Sequence, residues 1–211
     1  MTNCWGKAGG LTPQPSKYAE KRGIVRPSVS VLLSGVTALI SSTVLGWQPV
    51  LADDLIVGQP GGETHNVTGT ENYDNFVVGD LTNDIGTVNI LNGAVLNTGP
   101  GTSSTVGHQT GTSGTVAVSG NGSKWTASGN GDGVTFLGYS GSATLQISNG
   151  GMVDLSRAWT AMESGSSMTV TVSGDDSSLK VGDFLIGYKG TANVTFDNRG
   201  SLDTNGTAIG G

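Results

Sequence analysis

Cysteine, charge and aromatic rings are all scarce in this chain, and each shortage removes a class of protein. The 211 residues hold one cysteine, Cys4, near the N-terminus. The stretch beyond residue 52 therefore has neither a disulfide nor thiolate chemistry. Charged residues make up 12% and hydrophobic ones 35%. That excludes both a large globular core and the charge density of most disordered segments. Beyond residue 52 the basic residues are Lys124, Arg157, Lys180, Lys189 and Arg199, five against fifteen acidic ones, a net charge of −10. No basic patch exists to hold a phosphate backbone, so nucleic acid is excluded as a partner.

What the chain has in abundance is glycine, 36 residues of it, together with Ser, Thr, Asn and Val arranged in a repeat. The phrases TVNILNG from Thr87, TVAVSGNG from Thr115, TLQISNGG from Thr144, TVTVSGDD from Thr169 and NVTFDNRG from Asn193 begin 28, 29, 25 and 24 positions apart. Periods in this range belong to stacked, solenoid architectures. Within each copy the apolar residues alternate, as in Val116 and Val118 or Leu145 and Ile147, so one face of a strand is apolar and the other polar. Each copy is preceded by an apolar segment closed by glycine at Gly79, Gly107, Gly138 and Gly187, with further examples at Gly58 and Gly210. Between Gly138 and Gly187 the equivalent phrase reads TAME, which puts Glu163 in the glycine slot. The unit reads as two short strands joined by turns. Single strands with one apolar face gain stability by stacking, which predicts an all-β, right-handed parallel β-helix of about 24–29 residues per repeat.

Asn92, Asn149 and Asn198 close alternate copies. They offer either a stacked side-chain ladder or a corner role, since Asn tolerates left-handed backbone. Phe76, Phe136 and Phe184 precede the glycine-closed strands and are expected to stack in the interior. Trp125 and Trp159 fall near turns. For Trp125 a surface position with a part in ligand contact is an open alternative.

Residues 1–52 differ in kind. Lys7, Lys17, Lys21, Arg22 and Arg26 precede an apolar run from Val29 to Leu45, and Val50-Leu51-Ala52 follows as a small-residue cleavage site. This is the order of an extended, cleavable secretory signal, with a mature chain beginning near Asp53. A signal anchor is the competing reading, diluted by Ser30, Ser34, Gly35, Thr37, Ser41 and Ser42. The expected organisation is a signal over 1–52, an N-terminal entry or capping segment over 53–75, and truncated β-helix repeats over 76–211.

The stretches GTVAVSGNGSKW (114–125), FLGYSGSATLQISNGGMV (136–153) and LIGYKGTANVTFDNRGSL (185–202) resemble the passenger repeats of bacterial autotransporters of the AidA-like and pertactin-like type. The resemblance covers most of residues 76–211. It implies a β-helical stalk displayed on or secreted from a Gram-negative cell through a C-terminal outer-membrane barrel, its own or a separate one. Many members of such a family are adhesins or virulence factors, which implies a host-surface protein or glycan as partner. The chain reads as an N-terminal fragment lacking that barrel.

No catalytic, cofactor-binding or metal-binding residue is assigned. The alternative function, a carbohydrate-active β-helix enzyme, needs acids gathered on adjacent coils. Asp154 and Asp203 share a slot in two units, about 10 Å apart at two coil spacings, at or beyond the upper end of an inverting pair. The equivalent in the first unit is Asn97. His65 and His108 are expected as exposed turn residues, too far apart for a zinc motif. Gly138-Tyr139-Ser140-Gly141 is one residue short of a nucleophile elbow. Gly131-Asp132-Gly133 and Asp175-Asp176 lack the period of calcium-binding repeats. The sequons at Asn66, Asn121, Asn193 and Asn205 predict nothing firm.

Overall fold

Alternation of β-branched residues with Ser, Thr and Asn is realised as stacked parallel strands. The computed structural model describes residues 54–99, 103–127 and 133–210; the signal segment and Cys4 lie outside them. The described residues form sixteen strands and no helix. One sheet has six strands, in stacking order β2 (Glu63–Val67), β5 (Ile85–Leu91), β8 (Ser113–Ser119), β11 (Ser142–Ser148), β13 (Ser167–Ser173) and β15 (Thr191–Asp197). Every pairing is parallel, and Thr87, Thr115, Thr144, Thr169 and Asn193 stand in one row. The repeat read from the sequence is thus the physical coil, and the all-β parallel solenoid is what the chain forms.

A second sheet supplies the other walls. Its short strands are β3 (Thr70–Tyr73), β6 (Val95–Thr98) and β9 (Lys124–Ala127) on one wall, and β1 (Leu55–Val57), β4 (Phe76–Val78), β7 (Ser104–Val106) and β10 (Thr135–Leu137) on another. Three long strands, β12 (Met152–Thr160), β14 (Ser178–Ile186) and β16 (Ser201–Ile209), run through both walls and merge them. Each coil therefore has three strand segments, where the sequence reading found two. The extra segment escaped notice because its inward pair varies from coil to coil, from Leu96 with Thr98 to Trp125 with Ala127 and Val153 with Leu155. In the long strands the ladder skips Ser156, Gly182 and Asn205, which share one row and mark a bend. The burial phase shifts there: Val153 and Leu155 point inward before the bend, Ala158 and Thr160 after it.

The interior is a continuous column of aliphatic rows, such as Val88, Val116, Leu145 and Val170, beside Ile90, Val118, Ile147 and Val172, all essentially buried. Each fully buried aliphatic contributes about 1.5–3 kcal/mol. No single coil closes such a face alone, so stability is a property of the stack. Residues 54–75 enter this stack as a coil of their own, with β1, β2 and β3 paired in register to β4, β5 and β6.

The corners explain the two flavours of repeat. Asn92, Asn149 and Asn198 all have positive φ, 57°, 53° and 45°. Gly120 and Gly174 stand in the same row between them, because Leu91, Ser119, Ser148, Ser173 and Asp197 are in register. The three Asn are therefore two coils apart and form no ladder with one another. They serve the corner, where left-handed backbone favours Asn and Gly. Side-chain amide pairs do occur on the walls: Asn89 Nδ2 donates to Asn66 Oδ1 and Asn97 Nδ2 to Asn72 Oδ1, each at 2.9 Å.

The glycine slot also needs a correction. The residue in register with Gly138 and Gly187 is Ala161, not Glu163, because Thr160 pairs with Leu137 and Trp159 with Leu185. Ala161 is fully buried and keeps the left-handed backbone of the slot at φ 49°. Counting back from the next strand placed the substitution two residues late.

Arg199 is the corner residue most clearly at odds with its backbone. Its φ is 69°, while Gly93 and Gly150 hold the same corner position at 82° and 81°. Its ion pair with Asp175 is 3.0 Å long, but the Arg199 side chain is 83% exposed, so the pair contributes little. Arg199→Gly is expected to raise stability by about 0.5–1 kcal/mol through relief of this conformation, read as a higher denaturant midpoint at unchanged slope.

Candidate functional site

The two ends of the stack differ in chemistry. In the first coil, His65 stands in the row of Val88, Glu71 in that of Leu96 and Tyr73 in that of Thr98, all inward positions. These polar side chains satisfy one another. Glu71 Oε2 lies 2.7 Å from His65 Nε2 and accepts a 3.0 Å hydrogen bond from the Tyr73 hydroxyl, while Glu71 Oε1 accepts one of 2.9 Å from the Thr68 N–H. An ionised carboxylate only accepts, so His65 carries its proton on Nε2. At the other end, inward rows finish on Val194, Phe196, Leu202 and Ile209, and two more on Thr204 and Thr207. There Phe196 is 37%, Leu202 36% and Ile209 81% exposed. The polar cluster shares the first coil with the buried Leu55, Val57 and Val67.

Burial pushes the Glu71 carboxyl up, but hydrogen bonds from the Thr68 N–H, His65 and Tyr73 outweigh it and hold the group below the usual carboxylate range. A lowered native value stabilises the fold above the unfolded-state value, and that contribution is lost as pH falls through the native one. Glu71→Gln is therefore expected to destabilise the chain at neutral pH. The gap to the parent should close on acidification through and below the ordinary carboxylate range. Thermal midpoints from pH 7 to pH 3 check this.

His65 is thus a half-buried cap residue on β2 and not an exposed turn residue. His108 does lie in a turn, with Nδ1 3.0 Å from Asp80 Oδ1. The histidines belong to separate clusters, and among the described residues no group of three or more His, Cys, Asp or Glu side chains converges to hold a metal ion.

The aromatic residues divide differently from the sequence reading. Phe76 and Phe184 are buried, but Phe136 points outward. Phe76 and Phe184 stand three residues before their glycines and Phe136 only two, and a shift of one residue exchanges the faces of a strand. Trp125 is fully buried on β9 and takes no part in any surface. Trp159 is half-buried on the outer face of β12, beside Phe136 at 5.9 Å between ring centres. Tyr139 meets the edge of Phe136 at 5.2 Å and His108 at 6.0 Å. The outer wall therefore carries an edge-to-face aromatic cluster that the repeat phrases concealed.

Next to that cluster lies a groove of about 470 Å³ along the bend of the long strands. Asp154, Arg157, Lys180, Asp183 and Asn205 line it. Arg157 Nε approaches Asp183 Oδ2 at 3.6 Å, and Lys180 Nζ approaches Asp154 Oδ2 at 4.0 Å, each pair joining neighbouring coils. Asp154 and Asp203 occupy the shared row expected of them, but Lys180 stands between them in register. The row therefore alternates acid, base, acid. Such a ladder relieves repulsion between stacked carboxylates. Sequence reasoning had the two acids and missed Lys180, Arg157 and Asp183, whose grouping depends on coil register.

The fold and these features define a parallel β-solenoid with a polar cluster in its first coil and a charged groove and an aromatic patch on one wall. No protein-family model, curated protein or solved structure matches the chain.

Proposed function

We propose that this chain is the β-helical passenger segment of an autotransporter-like protein of type V secretion, a structural stalk with an adhesive and non-catalytic role on a Gram-negative surface. The observation that supports it most is the register of the stack: the phrases that resemble AidA-like passenger repeats are the parallel coils themselves, one above the next. A leader with the order of a secretory signal supports the same reading. The partners are an outer-membrane barrel, its own or separate, and a host-surface protein or glycan. Weak contacts along a repetitive wall sum to avidity. For the rival reading, a carbohydrate-active enzyme, Lys180 between Asp154 and Asp203 is the unfavourable observation.

Sequencing the locus past the codon for Gly211 tests the proposal. The expected result is an open frame that continues into further repeats and strands of about ten alternating residues, or a neighbouring gene that encodes them. A stop codon with no barrel gene beside it would overturn self-transport.

A further inference from the structure

The groove and the aromatic cluster lie on one continuous outer surface. Arg157 and Trp159 are two residues apart on β12 with side chains on the same face, and their partners across the ladder, Asp183 and Leu185, repeat the arrangement on β14. Walking along the strand, a ligand meets first the paired charges at the bend and then a half-exposed indole backed by Phe136. Sugars present just these two demands: a C–H face that packs on an aromatic ring and a rim of hydroxyls that hydrogen-bond to planar polar groups. Carboxylate, guanidinium and amide groups from Asp183, Arg157 and Asn205 are such partners, strong because two of them are charged.

Charge selects among glycans. The groove lining carries two cations and two carboxylates, so it offers no net attraction to an ionic polymer. Asp203, next in the row beyond Lys180, adds another acid, and the chain beyond residue 52 carries a net −10 from five basic and fifteen acidic residues. A polyanionic glycan is repelled at long range. An uncharged ligand loses nothing to that field.

We infer that the wall formed by β12, β14 and β16 binds neutral oligosaccharide, seated on Trp159 and hydrogen-bonded through Arg157, Asp183 and Asn205. This deepens the adhesin reading and rests on it for its biological meaning, but the binding is testable without it: failure of the glycan test leaves export and display to be decided by the locus.

The full 211-residue chain is titrated with cellohexaose, maltohexaose and laminarihexaose, followed by calorimetry and by tryptophan emission, with heparin and chitosan oligomers as charged controls. At least one neutral hexasaccharide is expected to bind and to shift emission, and loss of the shift in Trp159→Ala assigns it to that residue among the four tryptophans. Trp159→Ala and Asp183→Ala are each expected to weaken binding by about tenfold or more. Asn205→Ala, at an exposed position where folding is not at stake, should weaken it several-fold, and Asp175→Asn at a remote corner should leave it unchanged. Three results would each overturn the inference: no binding of any neutral hexasaccharide, binding only of a charged oligomer, or neutral binding indifferent to Asp183→Ala and Asn205→Ala. Release of shorter products from the bound sugar would replace a binding site with a hydrolytic one and overturn the non-catalytic reading as well.

Discussion

Trp125→Ala is expected to destabilise the chain by about 3–5 kcal/mol, the usual range for deleting a fully buried large aromatic, and to lower the thermal midpoint by roughly 10 °C. The indole is completely buried and meets Phe76 edge to face at 5.2 Å. It fills the interior opposite small residues: the wall that carries Phe76 and Phe184 continues through Ser104, Thr135 and Ala158 in the coils between. Its Nε1 donates a 3.1 Å hydrogen bond to Thr98 Oγ1, which lies 3.1 Å from Ser104 Oγ. Truncation removes packing and takes the indole donor from the buried Thr98 hydroxyl. Trp125→Phe separates the two effects, since the ring remains and the donor goes; a loss of about 1–3 kcal/mol is expected from the orphaned hydroxyl. Circular dichroism melts of both variants decide the matter. A Trp125→Ala midpoint within a degree or two of the parent would show that the interior does not depend on this anchor.

Gly114→Ala is expected to cost about 3 kcal/mol, at the upper end of overpacking losses, although the added atom is a single methyl carbon and the backbone is ordinary extended strand. A Cβ at Gly114 would stand 2.5 Å from the Val78 carbonyl oxygen, 2.6 Å from Val106 Cγ1 and 2.8 Å from the Gly107 nitrogen. Two of these are backbone atoms, and the Val78 carbonyl accepts the 2.8 Å hydrogen bond from the Gly107 N–H that closes the adjoining wall. Relief therefore requires opening a coil-to-coil bond. In the same row the residue becomes Ala143 and then Met168, so the next two coils admit a side chain at this position. Ala143→Gly serves as the control and is expected to lose only about 1 kcal/mol, from one buried methyl and chain entropy. Equal losses for the two variants would show that the clash at Gly114 is absorbed.

Much of the architecture was legible in the chain. The rows beginning at Thr87, Thr115, Thr144, Thr169 and Asn193 are the rows of the six-stranded sheet, because a solenoid stacks each coil on its neighbour and so turns sequence period directly into spatial register. The same copy begins one coil earlier, at Thr64, and stayed hidden because His65 replaces the expected aliphatic in a coil that ends the column. Phe136 was assigned to the wrong face because its distance from the glycine differs by one residue from that of Phe76. Ala161 was displaced by Glu163 because the turn after the slot varies in length: Thr169 lies eight residues beyond Ala161, while Thr144 lies six beyond Gly138 and Asn193 six beyond Gly187.

The sequence alone determined strand type, period, parallel stacking and the use of Asn and Gly at corners, since each of these depends on interactions between residues close in the chain or one repeat apart. Only the tertiary structure decided which side chains meet on the walls. Lys180 parts Asp154 from Asp203, Arg157 faces Asp183, and Trp159 lies beside Phe136. Those groupings follow from coil lengths that vary and from a bend that shifts the strand phase, so a difference of one residue in either exchanges an interior side chain for a surface one.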